Sequence, residues 1–234
     1  MTTRPDLATR LASIPLLEPL SDDTRKRLAM RADPVKVQRG ALVVQHQEVS
    51  DDVYFVLSGE LTAILISGRG REFALGEIKA GQYFGEIAAF SDGERSATIY
   101  ARTDAELVRV PGKAFRTLVE EEPHVARTLI VDMVGRIRQL TQRSFELTAF
   151  KLADRLALFL LRAGLEAGVF EAGGELKPAP THANIAARVG ANREAVSREL
   201  SALGQQGVIA TRRAAITFLD PEALLALARD ADEA

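Results

Sequence analysis

The sequence has no cysteine, almost no net charge, and no apolar run near the ~18 residues that a membrane-spanning helix needs. Missing cysteines exclude disulfides, thiolate-ligated zinc and cysteine-bound iron–sulfur clusters. Short apolar runs argue against a membrane segment. The opening stretch, Met1 to Leu20, carries Asp6, Glu18 and three prolines and does not read as a signal peptide, so a cytoplasmic location is expected. Thirty basic residues against 32 acidic ones leave a net charge of −2, so any nucleic-acid-binding surface must be a local patch. The three histidines, His46, His124 and His182, are scattered and offer little for haem. What is present is ordinary globular material, 47% hydrophobic and 26% charged, and 234 residues leave room for two domains.

One stretch organises the rest: Phe84-Gly85-Glu86-Ile87-Ala88, followed by Arg95-Ser96-Ala97. Glycine lets backbone approach a ligand without a Cβ in the way. A short helical turn from Glu86 to Phe90 would aim its leading amides at an anion. Arg95 can return a guanidinium fork onto phosphate oxygens, and Ser96 adds a hydroxyl. Glu86 would repel phosphate, so it suits a sugar hydroxyl instead. The residue types together describe a pocket for a small phosphate ester. A surface turn followed by a salt-bridged arginine is the plainer alternative. No nucleophile–base pair surrounds these groups, so no enzyme activity is expected.

Around this stretch the chain changes character twice. Leu7 to Arg31 reads as short helices broken at Pro15 and Pro19, with Ser21-Asp22-Asp23 as a cap. From Asp33 to Val110 short apolar runs alternate with turn residues such as Ser58-Gly59, Ser67-Gly68-Arg69-Gly70 and Ala80-Gly81, the pattern of a barrel or jelly roll. Pro123 then opens a long helix. Along it Ala126, Ile130, Met133, Ile137, Leu140, Ser144 and Leu147 alternate spacings of four and three, an a/d seam suited to self-pairing. A helix packed on its own barrel would show a similar stripe.

Thr181 to Leu203 reads as helix, tight turn, helix, with Thr181 and Asn192 as caps and Gly190 in the turn. Arg193, Glu194, Ser197 and Arg198 share the outward face of the second helix. Two apolar segments flanking Arg212-Arg213 suggest a winged hairpin. Thr181 to Arg213 holds five arginines and two glutamates, the basic patch that the whole chain lacks. A solvated charged face on a small helical domain would leave the same pattern.

The spacing of Phe84 to Ala97 resembles the phosphate-binding cassette of cyclic-nucleotide-binding domains. Thr181-His182-Ala183-Asn184-Ile185-Ala186 with Arg193-Glu194-Ala195-Val196-Ser197-Arg198 resembles the winged helix-turn-helix of the CRP/FNR family of bacterial regulators, and nearly the whole chain follows that family's order. The resemblance implies an α+β fold. An effector domain over 1–122 would be a jelly-roll β-barrel, a dimerisation helix would cover 123–147, and a winged helix-turn-helix DNA-binding domain 148–234. It implies no catalytic role, no metal and no cofactor, but an allosteric effector, cyclic AMP in preference to cyclic GMP. Gly85, Glu86, Ile87, Ala88, Arg95, Ser96 and Ala97 would hold ribose and phosphate. Arg136, Leu140 and Thr141 on the long helix would meet the ligand, Arg136 by pairing with Glu86. Leu140 replaces a polar residue often found there. The dimer contact would use Ile130, Met133, Ile137, Leu140, Ser144 and Leu147.

For DNA, the resemblance implies contacts by Thr181, His182, Asn192, Arg193, Glu194, Ser197, Arg198 and Arg212. The two recognition arginines would face guanine edges and Glu194 a cytosine amine, reading inverted TGTGA-like half-sites. Asn184 stands where an acidic residue is frequent. Gln47 stands where a turn glycine is common, in a loop expected to lie away from the phosphate. Double-stranded DNA, a second copy of the chain and RNA polymerase are the expected partners. A haem or redox sensor, or a regulator needing no ligand, could occupy the same scaffold.

Overall fold

The computed structural model describes residues 4–68 and 72–230. The chain divides into two compact units, Met1–Gly135 and Arg136–Ala234. The division falls within the long helix, where the sequence reading had placed a domain boundary at the helix's end.

In the first unit, α1 (Arg4–Leu11) and α2 (Asp22–Met30) precede eight strands. Ser21 caps α2, its hydroxyl accepting from the Thr24 amide at 3.1 Å. One antiparallel sheet runs β1 (Asp33–Val37), β8 (Ala105–Val110), β3 (Val53–Ser58), β6 (Tyr83–Phe84); the other runs β2 (Leu42–Val44), β7 (Thr98–Ala101), β4 (Glu60–Ile66), β5 (Glu72–Lys79). Val44, Leu61 and Ile99 of one sheet pack with Tyr54, Val56, Phe84 and Leu107 of the other, giving the expected jelly-roll core. On β3 alternate residues face opposite ways: Tyr54 and Val56 enter that core, while Val53 and Phe55 enter a second one with α1, α2 and α4 (Gly112–Glu121). Strand β6 was not expected, since two residues carry no alternation to read. The expected hairpin joins β4 to β5, which pair antiparallel; its turn residues Arg69 and Gly70 lie outside the described residues.

The four-residue helix α3 (Glu86–Ala89) follows β6 directly, and α5 (Pro123–Ala149) runs 27 residues. In the second unit α6 (Leu152–Glu166), α7 (His182–Val189), α8 (Arg193–Gln205) and α9 (Pro221–Asp230) enclose Leu156, Leu160, Ile185, Val196 and Phe218. A three-stranded antiparallel sheet, ordered β10 (Ile209–Arg212), β11 (Ala215–Phe218), β9 (Glu175–Leu176), completes the winged module. Among the described residues no helix is long and apolar enough to cross a membrane.

Candidate ligand pocket and nucleic-acid interface

Strand β6 delivers Phe84 to the core, stacked on Tyr54 with centroids 4.9 Å apart and planes 6° from parallel. The chain then turns at Gly85, whose φ of +93° an L side chain rarely adopts. The site has no room for one either: a Cβ would collide with the Asp52 carbonyl and lie 2.6 Å from Arg95 Nη1. The glycine therefore brings backbone and guanidinium together. Glu86 is 4% exposed and Arg95 is 3% exposed, so both charged groups are withdrawn from bulk water. Ala88 and Ala97 are buried, while Ile87 and Ser96 are exposed.

Arg95 is held by neutral partners. Its Nη1 donates to the Asp52 carbonyl at 2.7 Å and its Nη2 to Ser50 Oγ at 2.8 Å. The guanidinium carbon lies 5.6 Å from the centre of the Tyr54 ring. Nε is buried without an acceptor among the described residues. A desolvated guanidinium with an unused donor is a ready partner for an anionic oxygen, because leaving that donor unmet costs ~1–3 kcal/mol. Burial, with the Asp52 carboxylate beside it, pushes the Tyr54 phenol above its ordinary value.

The loop before β3 belongs to this site, contrary to the expectation that it lies away from the phosphate cassette. Gln47 N–H donates to the Arg95 carbonyl at 2.9 Å, and Arg95 N–H returns to the Glu48 carbonyl at 3.0 Å. Gln47 itself holds φ +66°, which allows the two segments to meet. Ser50, Asp52 and Tyr54 were missed by the sequence reading because they lie more than 40 residues before Arg95, and no spacing rule connects them. On the far side, Arg116 of α4 donates to Asp51 at 2.9 Å and to the Ala89 carbonyl at 2.7 Å, tying the loop to the end of α3.

On α5, Ile130, Ile137 and Leu140 are each more than 60% exposed, and Val131, beside the stripe, is exposed too. Two members of the expected seam have partners within their own chain. Met133 packs against the first unit's helical core, and a Leu147 methyl lies against Gly190. Ser144, Arg136 and Thr141 are solvent-facing.

In the second unit both caps form as expected. Thr181 Oγ1 accepts from the Asn184 amide at 3.2 Å, and Asn192 Oδ1 from the Ala195 amide at 2.7 Å. Gly190 takes φ +66° between the helices. Val196, Leu200 and Leu203 are buried, which fixes α8 by its inner face and leaves Arg193, Glu194 and Arg198 exposed. His182 Nδ1 and Ser197 Oγ lie 2.7 Å apart, so two residues expected at DNA also bind each other across the turn. Arg212 ends β10, exposed on the wing.

Residues 34–122 match the family described as cyclic nucleotide-binding domain, and residues 154–227 match the Crp-like helix-turn-helix domain. The chain is 28% identical over 204 residues to a CRP-like cAMP-activated global transcriptional regulator of Mycobacterium tuberculosis, covering 86% of this chain and 91% of that protein. It is 28% identical over 163 residues to the cAMP-activated global transcriptional regulator Vfr of Pseudomonas aeruginosa, covering 68% and 76%. Among solved structures, a CRP/FNR-family transcriptional regulator from Thermus thermophilus superposes with a TM-score of 0.62 at 26% identity, covering 84% of this chain and 98% of that one. A CRP/FNR-family regulator from Eubacterium rectale has the same fold, with a TM-score of 0.69 at 24% identity and coverage of 93% and 99%.

Proposed function

The chain belongs to the CRP/FNR family of transcription regulators, with a cyclic-nucleotide-binding domain and a DNA-binding helix-turn-helix, and from that premise we propose that cyclic AMP shifts a homodimer of it to a form that binds inverted TGTGA-like half-sites. The observation carrying this reading is Arg95: buried, held by neutral groups, and turned beside a glycine that brings backbone to its Nη1. Phosphate oxygens would satisfy the Nε donor and balance the charge, with Ser96 supplying a hydroxyl. Glu86 would take the ribose hydroxyl. Thr141 and Leu140 would meet the base, where a hydroxyl serves adenine or guanine and the leucine favours adenine.

The solvent-facing stripe of Ile130, Ile137 and Leu140 supports pairing of α5 with its copy. Two such chains would present α8 twice, matching a palindromic site. Arg193 and Arg198 would each take a guanine O6/N7 edge and Glu194 a cytosine amine, each good pair giving ~1–3 kcal/mol of base discrimination. The nucleotide shifts the equilibrium only by its differential affinity for the two forms. Regulation through RNA polymerase contacts follows from this reading.

The test is fluorescence anisotropy of a labelled TGTGA-N6-TCACA duplex titrated with protein at one salt concentration, without nucleotide, with cyclic AMP, and with cyclic GMP. Tightening by cyclic AMP alone, lost in Arg95→Ala, is expected. Tightening by cyclic GMP alone would replace the effector. Equal tight binding in all three series would sink the ligand switch.

A further inference from the structure

Five arginines line a groove of about 600 Å³ within the second unit, between the C-terminal half of α5, α6 and the end of α7. They are Arg138, Arg143, Arg155, Arg162 and Arg188, and no lysine accompanies them. Two carboxylates, Glu146 and Glu166, share the lining, which leaves three positive charges in excess in a chain whose overall charge is −2. The volume lies within the ~300–1,000 Å³ typical of small-molecule sites. A cleft with an excess of one sign of charge raises the local concentration of counter-ions.

Part of this charge is structural. Arg162 Nη2 donates to Glu146 at 2.6 Å, Arg143 donates to the Ala187 carbonyl at 2.8 Å, and Arg188 stands over the Phe159 ring. Those contacts fix the walls. Arg155 is different, because its Nε is buried with no acceptor among the described residues. Arg138 is exposed at the rim. No residue of α8 or the wing lines the groove, so it is not the recognition surface. With Ile137 and Ser144 at a positions, Arg138, Gln139, Gln142, Arg143 and Glu146 fall at b, c, f, g and c. Only Leu147 of the lining falls on the a/d seam, at d, so pairing of α5 would border the groove at that residue and leave its arginine walls outside the seam.

We propose that this groove is a second ligand site, for a small polyphosphate-bearing anion, distinct from the cyclic-nucleotide cassette. Planar guanidinium forks recognise phosphate oxygens two at a time, which lysine does not. Arg155 supplies the unmet inner donor and Arg138 an exposed guanidinium at the rim. The shared chemistry is the polyphosphate chain, whether free or carried by a nucleotide.

Isothermal titration of the full-length protein with inorganic tripolyphosphate and with ATP, at low salt and with saturating cyclic AMP present, tests this. One site per chain is expected, weakening as salt rises, with at least a tenfold loss of affinity in Arg138→Glu and no change in Arg193→Ala/Arg198→Ala. Arg155→Lys, with folding verified by its melting transition, should also weaken binding. Equal affinities would assign the site to polyphosphate itself, and tighter ATP binding would assign it to a nucleotide. Absence of heat with both ligands at millimolar concentration overturns the proposal. So does binding that Arg138→Glu leaves unchanged, or that disappears in the recognition-helix variant instead.

Discussion

Gln47 offers a test of how backbone conformation at the cassette is stabilised. A residue with a Cβ pays ~1–2 kcal/mol for the left-handed region that Gln47 occupies at φ +66°. Glycine escapes that strain but gives up about 0.5–1 kcal/mol in chain entropy on folding. The Gln47 side chain is exposed, and its amide bond to the Arg95 carbonyl survives any substitution but proline. Gln47→Gly should therefore stabilise the first unit by about 0.5–1 kcal/mol. The chain has no tryptophan, and its three tyrosines, Tyr54, Tyr83 and Tyr100, all lie in the first unit, so tyrosine fluorescence follows that unit alone. With a slope of ~2 kcal/mol per molar urea, the midpoint should rise by roughly 0.3–0.5 M. Gln47→Ala keeps the Cβ and should leave the midpoint near wild type. A Gly variant that melts at or below wild type with an unchanged slope would refute the strain argument.

Gly85→Ala should do the reverse. Strain at φ +93° and collision with the Asp52 carbonyl together should cost about 2–4 kcal/mol and abolish cyclic-nucleotide binding; wild-type melting with wild-type affinity would contradict the geometry. Glu146 gives a pH dependence. Burial works to raise its pKa, but the hydrogen bonds from Arg162 and Gln142 prevail and hold it below its ordinary value. A depressed folded pKa contributes stability above the unfolded value of ~4.3 and loses it as pH falls through the folded one. Since Arg162 is half exposed, Glu146→Gln should cost only about 1 kcal/mol at neutral pH, the difference from wild type fading below about pH 4. Circular dichroism urea melts across pH 3–7 measure this, and a constant difference would rule it out.

Much of this molecule could be read from local sequence because its signals are local. Thr181, Asn192 and Ser21 cap helices through bonds three residues ahead, and Gly85 and Gly190 turn where only glycine is comfortable. The spacing marked Gly85 and Arg95 as parts of one stretch, but did not reveal that the glycine leaves room for the Arg95 guanidinium. Long-range features were not legible. The hold of Ser50 and Asp52 on Arg95 joins segments over 40 residues apart. Gln47 has no propensity that announces a positive φ. Met133 and Leu147 share the seam's periodicity with Ile137, yet each also packs within its own unit. The arginine groove gathers three helices whose basic residues, taken singly, look like ordinary solvated charge.

The double burial of β3 has a consequence before folding is complete. Val53-Tyr54-Phe55-Val56-Leu57 must be apolar throughout, since its two faces serve two cores. In an unfolded chain such a stretch, rich in β-formers and free of charge and proline, is a seed for intermolecular sheet stacking. Asp51 and Asp52 stand at its entrance and Ser58-Gly59 at its exit. Charges at the mouth of an unavoidable apolar strand act as gatekeepers against self-association. The Asp51 carboxylate that holds Arg116, and the Asp52 carboxylate next to it, therefore stand where charge would oppose aggregation of the unfolded chain.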